Sequence, residues 1–219
     1  YTPPEGAFSE FGAAWLGWDA ARGTAIAHPE VADLSAPVSE ITETPRKYGL
    51  HATIKPPFAL AEAEGEAGLV AAFEQFCAGE AAVTLEGVQI AGLGRFLALV
   101  PVGDQSALNG LAARAVEAFE PWRAPLTEAQ LARRRAGGLT PAQDALLLRW
   151  GYPYVMEEFR FHITLTGKRP KAELPGIKAA LEARLGPLVP QPYVIDALSL
   201  MGEDEAGRFH LLHRQTLTA

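Results

Sequence analysis

The stretch that decides the reading is Leu50-His51-Ala52-Thr53-Ile54-Lys55, and it has a second copy, Phe161-His162-Ile163-Thr164-Leu165-Thr166. Each is His-x-Thr inside a short run of strand-forming residues. Side chains alternate faces along a strand, so positions i and i+2 point the same way. His51 and Thr53 then share a face, as do His162 and Thr164, while Leu50, Ala52 and Ile54 turn toward a core. Lys55 extends the polar face of the first run. Arg160, two residues before His162, and Thr166, two after Thr164, extend that of the second. A single His-x-Thr triplet arises by chance in many proteins; two with matching flanks are a different matter.

The flanks do match. Each motif is followed by a helix-like stretch (Leu69 to Cys77, then Ile177 to Leu185) and by a strand (Leu85 to Ile90, then Ile195 to Leu200). A Gly-containing turn and a strand opening Arg95-Phe96 or Arg208-Phe209 complete each half. This is the pattern of an internal duplication. It predicts one bilobal α+β domain, with lobes at about 1–120 and 151–219 related by an approximate two-fold axis. The two His-x-Thr strands would then face each other across a cleft.

Residues 121–150 have no counterpart in the repeat and predict an inserted helical hairpin. Thr127-Glu128-Ala129-Gln130 begins one helix, Gly137-Gly138 breaks it, and Thr140-Pro141 starts another in the expected order of cap and proline. Arg133, Arg134 and Arg135 are either a solvated helix face or a lid that reaches a substrate phosphate. Elsewhere, Phe8, Phe11, Trp15 and Trp18 sit at helical spacing. Ser35 is placed to cap a short helix running to about Thr42, and Ala61 to Gly68 reads as a surface linker. Val83–Ile90 and Phe96–Val102 read as a hairpin, and Ser106–Phe119 as a helix. His28 reads as a surface or lightly packed residue, His213 as an exposed one, and His210 as a core or sheet-face residue.

The chain has 219 residues, 48% of them hydrophobic and 21% charged, enough for a globular core. A formal net charge of -7 argues against long nucleic acid, whose binding rests on neutralising many phosphates. No apolar run reaches the length of a membrane span, and no signal-peptide pattern is present. The chain starts at Tyr1 without an initiator Met, so its native start is expected to lie upstream. Cys77 is the single cysteine, which excludes an internal disulfide and suits a reducing cytoplasm. Its apolar neighbours make it a core residue. There is no Gly-rich phosphate loop of the usual spacing, no GxGxxG and no metal-ligand motif, so no cofactor is expected.

Histidine is the side chain best suited to give or take a proton near neutral pH. Two facing one cleft, each beside a threonine hydroxyl, suit a phosphodiester: one deprotonates the attacking oxygen and the other protonates the leaving oxygen. Nearby cations offset charge in the transition state. Which histidine is the base stays open at this level.

Paired His-x-Thr motifs on a duplicated strand-helix-strand scaffold resemble the two-histidine (2H) phosphoesterase superfamily. The longer strings Tyr48-Gly49-Leu50-His51-Ala52-Thr53-Ile54-Lys55-Pro56-Pro57-Phe58, Trp150-Gly151-Tyr152-Pro153-Tyr154 and Phe159-Arg160-Phe161-His162-Ile163-Thr164-Leu165-Thr166-Gly167 resemble its DUF1045, or phosphonate-metabolism, branch. The resemblance implies a 2H-like fold of two antiparallel sheets facing a cleft, with helices outside. It implies metal-independent hydrolysis or opening of a cyclic phosphodiester, here on a small ribose or nucleotide cyclic phosphate. It also implies that His51, Thr53, His162 and Thr164 are catalytic. Tyr48, Lys55, Arg160 and Thr166 join them as substrate-binding candidates from strand geometry and proximity. The alternatives are a module that binds a phosphorylated metabolite without turnover, and an RNA-end processing or ligation enzyme.

Overall fold

The computed structural model describes residues 1–61 and 65–219. Residues 62–64, inside the linker read at Ala61 to Gly68, lie outside the described residues. In chain order the helices are α1 (Ala7–Leu16), α2 (Val38–Ile41), α3 (Glu43–Arg46), α4 (Glu66–Ala78), α5 (Ser106–Ala118), α6 (Glu128–Arg135), α7 (Pro141–Trp150) and α8 (Leu174–Arg184). The strands are β1 (Trp18–Asp19), β2 (Thr24–Ala25), β3 (Val83–Leu85), β4 (Gly87–Leu93), β5 (Phe96–Val102), β6 (Ile163–Thr164), β7 (Tyr193–Ile195), β8 (Ala197–Glu203) and β9 (Phe209–Thr216). The architecture is therefore mixed α and β. Where two sheets were expected, the described residues form four small antiparallel ones, β1-β2, β3-β7, β4-β5-β6 and β8-β9. Breaks at Glu86 and Asp196 part β3 from β4 and β7 from β8.

The chain divides into two compact units. The first holds Tyr1–Ala52, Ala82–Asp104 and His162–Thr216, and with them every strand named above. Within it, α1 ends two residues before the expected Trp18. Gly17 takes a left-handed backbone (φ 78°), and its N–H closes the helix on the Ala13 carbonyl. Trp18 is released into β1 and donates its indole N–H to the Phe209 carbonyl at 2.9 Å, while Trp15 donates to the Leu165 carbonyl at 2.8 Å. Ser35 caps no helix; its hydroxyl reaches Glu173 at 2.9 Å, and α2 starts after Pro37. Trp15, Leu16, Ile41, Leu85, Leu97, Leu99, Ile163 and Leu165 are fully buried here.

The hairpin read from the sequence is present as β4-β5, with Leu93 opposite Phe96. The two halves interleave within this unit. β3 pairs with β7, Val83 opposite Ile195, and β6 of the second motif adds to β5, with Thr164 opposite Ala98 and Ile163 opposite Leu99. The segment before the first motif meets β9 instead, where the Phe209 N–H donates to the Lys47 carbonyl at 2.9 Å.

The second unit holds Thr53–Ala81, Gln105–Phe161 and Leu217–Ala219 and is built from α4 to α7. α5 buries Leu108, Leu111, Ala112, Ala115 and Val116, residues spaced for one helix face. Val116 joins Leu146, Trp150 and Val155 in one cluster. Cys77 is buried as expected, and burial pushes its thiol up to about 11. Thr127 and Thr140 each form a capping box, with Gln130 and Gln143. Two arginines of α6 are engaged inside this unit: Arg135 pairs with Asp144 at 2.6 Å, and Arg134 lies 4.8 Å from the centre of the Tyr152 ring. Arg133 is exposed. Among the described residues no helix is long and apolar enough to cross a membrane.

Candidate functional site

The first motif is not a strand. Residues 50–53 run outside any ladder. Gly49 turns the backbone at φ 74°, and Pro56 and Pro57 lack the N–H groups that a ladder would need. That turn brings the Gly49 carbonyl to His51 Nδ1 at 3.1 Å. A carbonyl only accepts, so Nδ1 carries the proton and the lone pair of the neutral ring sits on Nε2. Two tyrosine rings stack on the imidazole, Tyr1 at 5.1 Å and Tyr48 at 5.0 Å between centroids. Tyr48 stacks in turn on Phe209 at 4.7 Å and carries the Lys47 ammonium 4.6 Å above its ring. Tyr1 donates its hydroxyl to the Tyr48 carbonyl at 2.8 Å, and burial raises its phenol well above the ordinary tyrosine range.

The second motif keeps its strand. Phe161, Ile163 and Leu165 are buried, while His162 and Thr164 are only half-buried, the alternation that a one-sided strand demands. His162 lies 6.1 Å from the Phe96 ring, centroid to centroid.

Burial and His162 both shape the titration of His51. The His51 ring is pushed down to about 4, first by burial and in smaller part by positive charge at His162; the Gly49 hydrogen bond opposes the shift. His51 is therefore neutral at pH 7. Two imidazoles within electrostatic reach, with the Thr164 hydroxyl on the His162 face, can together accept and donate hydrogen bonds to a small tetrahedral anion.

The structure brings His51, Tyr48, His162 and Thr164 into the first unit, with Thr166. Thr166 is fully buried; its hydroxyl accepts from the Leu97 N–H at 3.0 Å and donates to the Gly167 carbonyl at 2.9 Å, so it holds the backbone. Thr53, Lys55 and Arg160 belong to the second unit. Thr53 is exposed. The Lys55 ammonium donates to the Val116 carbonyl at 3.0 Å and to Glu120 at 3.1 Å, and Glu120 also pairs with Arg123. Arg160 is exposed and donates to the Glu157 and Phe159 carbonyls at 2.9 and 2.6 Å. Among the described residues no group of three His, Cys, Asp or Glu side chains is placed to hold a metal ion.

Sequence reasoning missed Tyr1, Phe96 and Phe209. The two phenylalanines had left a signal, since each opens the repeated Arg-Phe strand. Phe96 packs on His162, and Phe209 packs on the tyrosine that stacks on His51. His210, read as core or sheet face, is half-exposed in the β8-β9 hairpin and holds Asp204 at 2.8 Å.

The profile of the family described as "Protein of unknown function (DUF1045)" matches residues 53–210. Two curated relatives carry the name ribose 1,5-bisphosphate phosphokinase PhnN. The protein from Janthinobacterium sp. (strain Marseille) is 38% identical over 213 residues, 94% of this chain and 47% of its own length. That from Laribacter hongkongensis (strain HLHK9) is 36% identical over 205 residues, again 94% of this chain and 47% of its own length. The chain thus spans about half the length of the curated relatives it matches. Their name is that of a kinase, an enzyme of phosphoryl transfer. It overturns the cyclic phosphodiesterase expected from the paired histidines, and with it the assignment as a phosphodiester hydrolase.

Proposed function

The chain belongs to the DUF1045 family, and on that premise we propose that it serves phosphoryl transfer to a phosphorylated ribose, as the part that holds the sugar phosphate. The observation that carries this reading is that His51 and His162 lie in one compact unit, with His162 among the charges that act on the buried His51 ring and Thr164 on the half-buried face of the His162 strand. The relatives named for a ribose 1,5-bisphosphate kinase supply the substrate class. Phosphate loops of nucleotide-binding kinases follow recognisable glycine spacings. This sequence contains neither GxxxxGK[ST] nor GxGxxG, so the proposal gives it the acceptor sugar rather than the nucleotide.

In this reading a phosphate ester of the sugar sits against His51 and His162. Neutral His51 accepts a hydrogen bond at Nε2 from a protonated phosphate oxygen, and Thr164 donates to a non-bridging oxygen. Negative charge beside His51 raises its proton affinity, so binding takes up a proton and tightens as pH falls from 7.5 toward 6.

A 2H-like duplication belongs to the same proposal, with lobes at about 1–120 and 151–219 and the 121–150 hairpin as an insertion. It is supported by the antiparallel pairing of β3 with β7 and by the two matching hairpins, β4-β5 and β8-β9. The phosphonate-metabolism setting suggested by the family resemblance is proposed with it.

The test is calorimetry with ribose 1,5-bisphosphate at pH 6 and 7.5 on the wild type, His51→Ala and His162→Ala. Each variant is expected to lose tenfold or more in affinity, about 1.4 kcal/mol. Wild-type affinity retained in both variants refutes the site.

A further inference from the structure

The ribbon that carries His162 and Thr164 ends in a cluster of cations that the site described above does not use. β5 and the segment after β6 run antiparallel past their ladder. The Leu165 N–H donates to the Leu97 carbonyl at 2.9 Å, and the Arg169 N–H donates to the Arg95 carbonyl at 2.8 Å. Residues 95 and 169 are thus opposite one another, and Lys168 and Lys171 flank them in sequence. Arg169 is neutralised by Glu173 at 2.8 Å. Arg95, Lys168 and Lys171 are exposed and enter no ion pair among the described residues. Three uncompensated cations at one strand end are notable in a chain of net charge -7.

Their position relates them to the histidines. Phe96, next to Arg95, lies 6.1 Å from the His162 ring. Ala98, opposite Thr164, is three residues from Arg95 along β5 and the turn before it, about 10 Å of extended chain, a span that long cationic side chains shorten further. An anion held at His51 and His162 would present the rest of its molecule along this ribbon.

We propose that Arg95, Lys168 and Lys171 bind a second phosphate ester on the same ribose, so that the chain selects a bisphosphorylated sugar over a monophosphorylated one. The inference rests on the functional reading above and adds the residues that read the second charge. Cations focused at one end of a site raise both the on-rate and the affinity for a doubly charged ligand, and salt weakens the effect.

The experiment compares the affinity for ribose 1,5-bisphosphate with that for ribose 5-phosphate. It uses the wild type, the triple variant Arg95→Gln/Lys168→Gln/Lys171→Gln, and a charge-matched control, Arg22→Gln/Arg133→Gln/Arg184→Gln. All six positions are exposed or half-buried, and circular dichroism verifies folding. The wild type is expected to prefer the bisphosphate. The triple variant is expected to lose that preference by tenfold or more while keeping its affinity for the monophosphate, and the control to behave as wild type. An unchanged preference in the triple variant, or an equal loss in the control, overturns the inference and leaves the histidine site standing. Failure of the wild type to bind either sugar overturns both.

Discussion

Replacing His51 with phenylalanine should invert the order of stability of wild type and variant between pH 7.5 and pH 4.5. In the folded chain the His51 proton is held at about 4, chiefly by burial; in the unfolded chain it titrates near 6.5. Between these values the unfolded state binds more protons, so stability rises with pH through the window. His51 therefore costs nothing above pH 6.5, destabilises progressively as the pH falls, and reaches its full penalty below about pH 4. Each pH unit inside the window is worth about 1.4 kcal/mol, so lowering the pH from 7.5 to 4.5, which crosses about two units of that window, removes at most about 2.7 kcal/mol. The ring is half-buried, and water reaching it lowers the expected figure to about 1–2 kcal/mol. Phenylalanine keeps the stack with Tyr1 and Tyr48 but loses the Nδ1–H bond to the Gly49 carbonyl, about 1 kcal/mol. The variant is then the less stable protein at pH 7.5 and the more stable one at pH 4.5. Urea unfolding at both pH values gives the double difference, in which the carboxylates common to both proteins cancel. Parallel pH responses in the two proteins would refute the buried, charge-coupled environment assigned to His51.

Two further substitutions examine the surroundings. Lys55→Met removes an ammonium that bonds the Val116 carbonyl and Glu120; the loss is expected to be about 1–3 kcal/mol in urea unfolding, and an unchanged midpoint would show that these bonds are not formed. Gly17→Ala places a Cβ against the His28 ring at a left-handed position (φ 78°); melting temperature should fall in step with a cost of about 1–3 kcal/mol, and an unaltered melt would contradict the α1 terminus.

Family membership was legible in the motif strings, because long runs such as Tyr48 to Phe58 and Phe159 to Gly167 are specific. The reaction was not. A His-x-Thr pair states which groups face a site, and acid/base pairs serve hydrolysis and phosphoryl transfer alike. The polar row Arg160, His162, Thr164, Thr166 illustrates the limit on the site itself. Strand alternation placed all four on one face, yet Thr166 is buried on the Leu97 N–H and Arg160 bonds its own neighbouring carbonyls.

The local elements follow from the sequence because their causes are local. Thr-x-x-Gln at 127–130 and 140–143 closes two capping boxes within a single turn, and the apolar spacing of Ser106–Phe119 yields α5 with its buried stripe. Pairing across the chain was decided by tertiary structure alone. The second motif joins β5 of the first half, and the residue ahead of Tyr48 bonds β9 of the second. The depressed titration of His51 likewise arises from burial and from a charge far along the chain. Strand partners, desolvation and charge coupling act through space between distant residues, and no window of neighbouring side chains contains them.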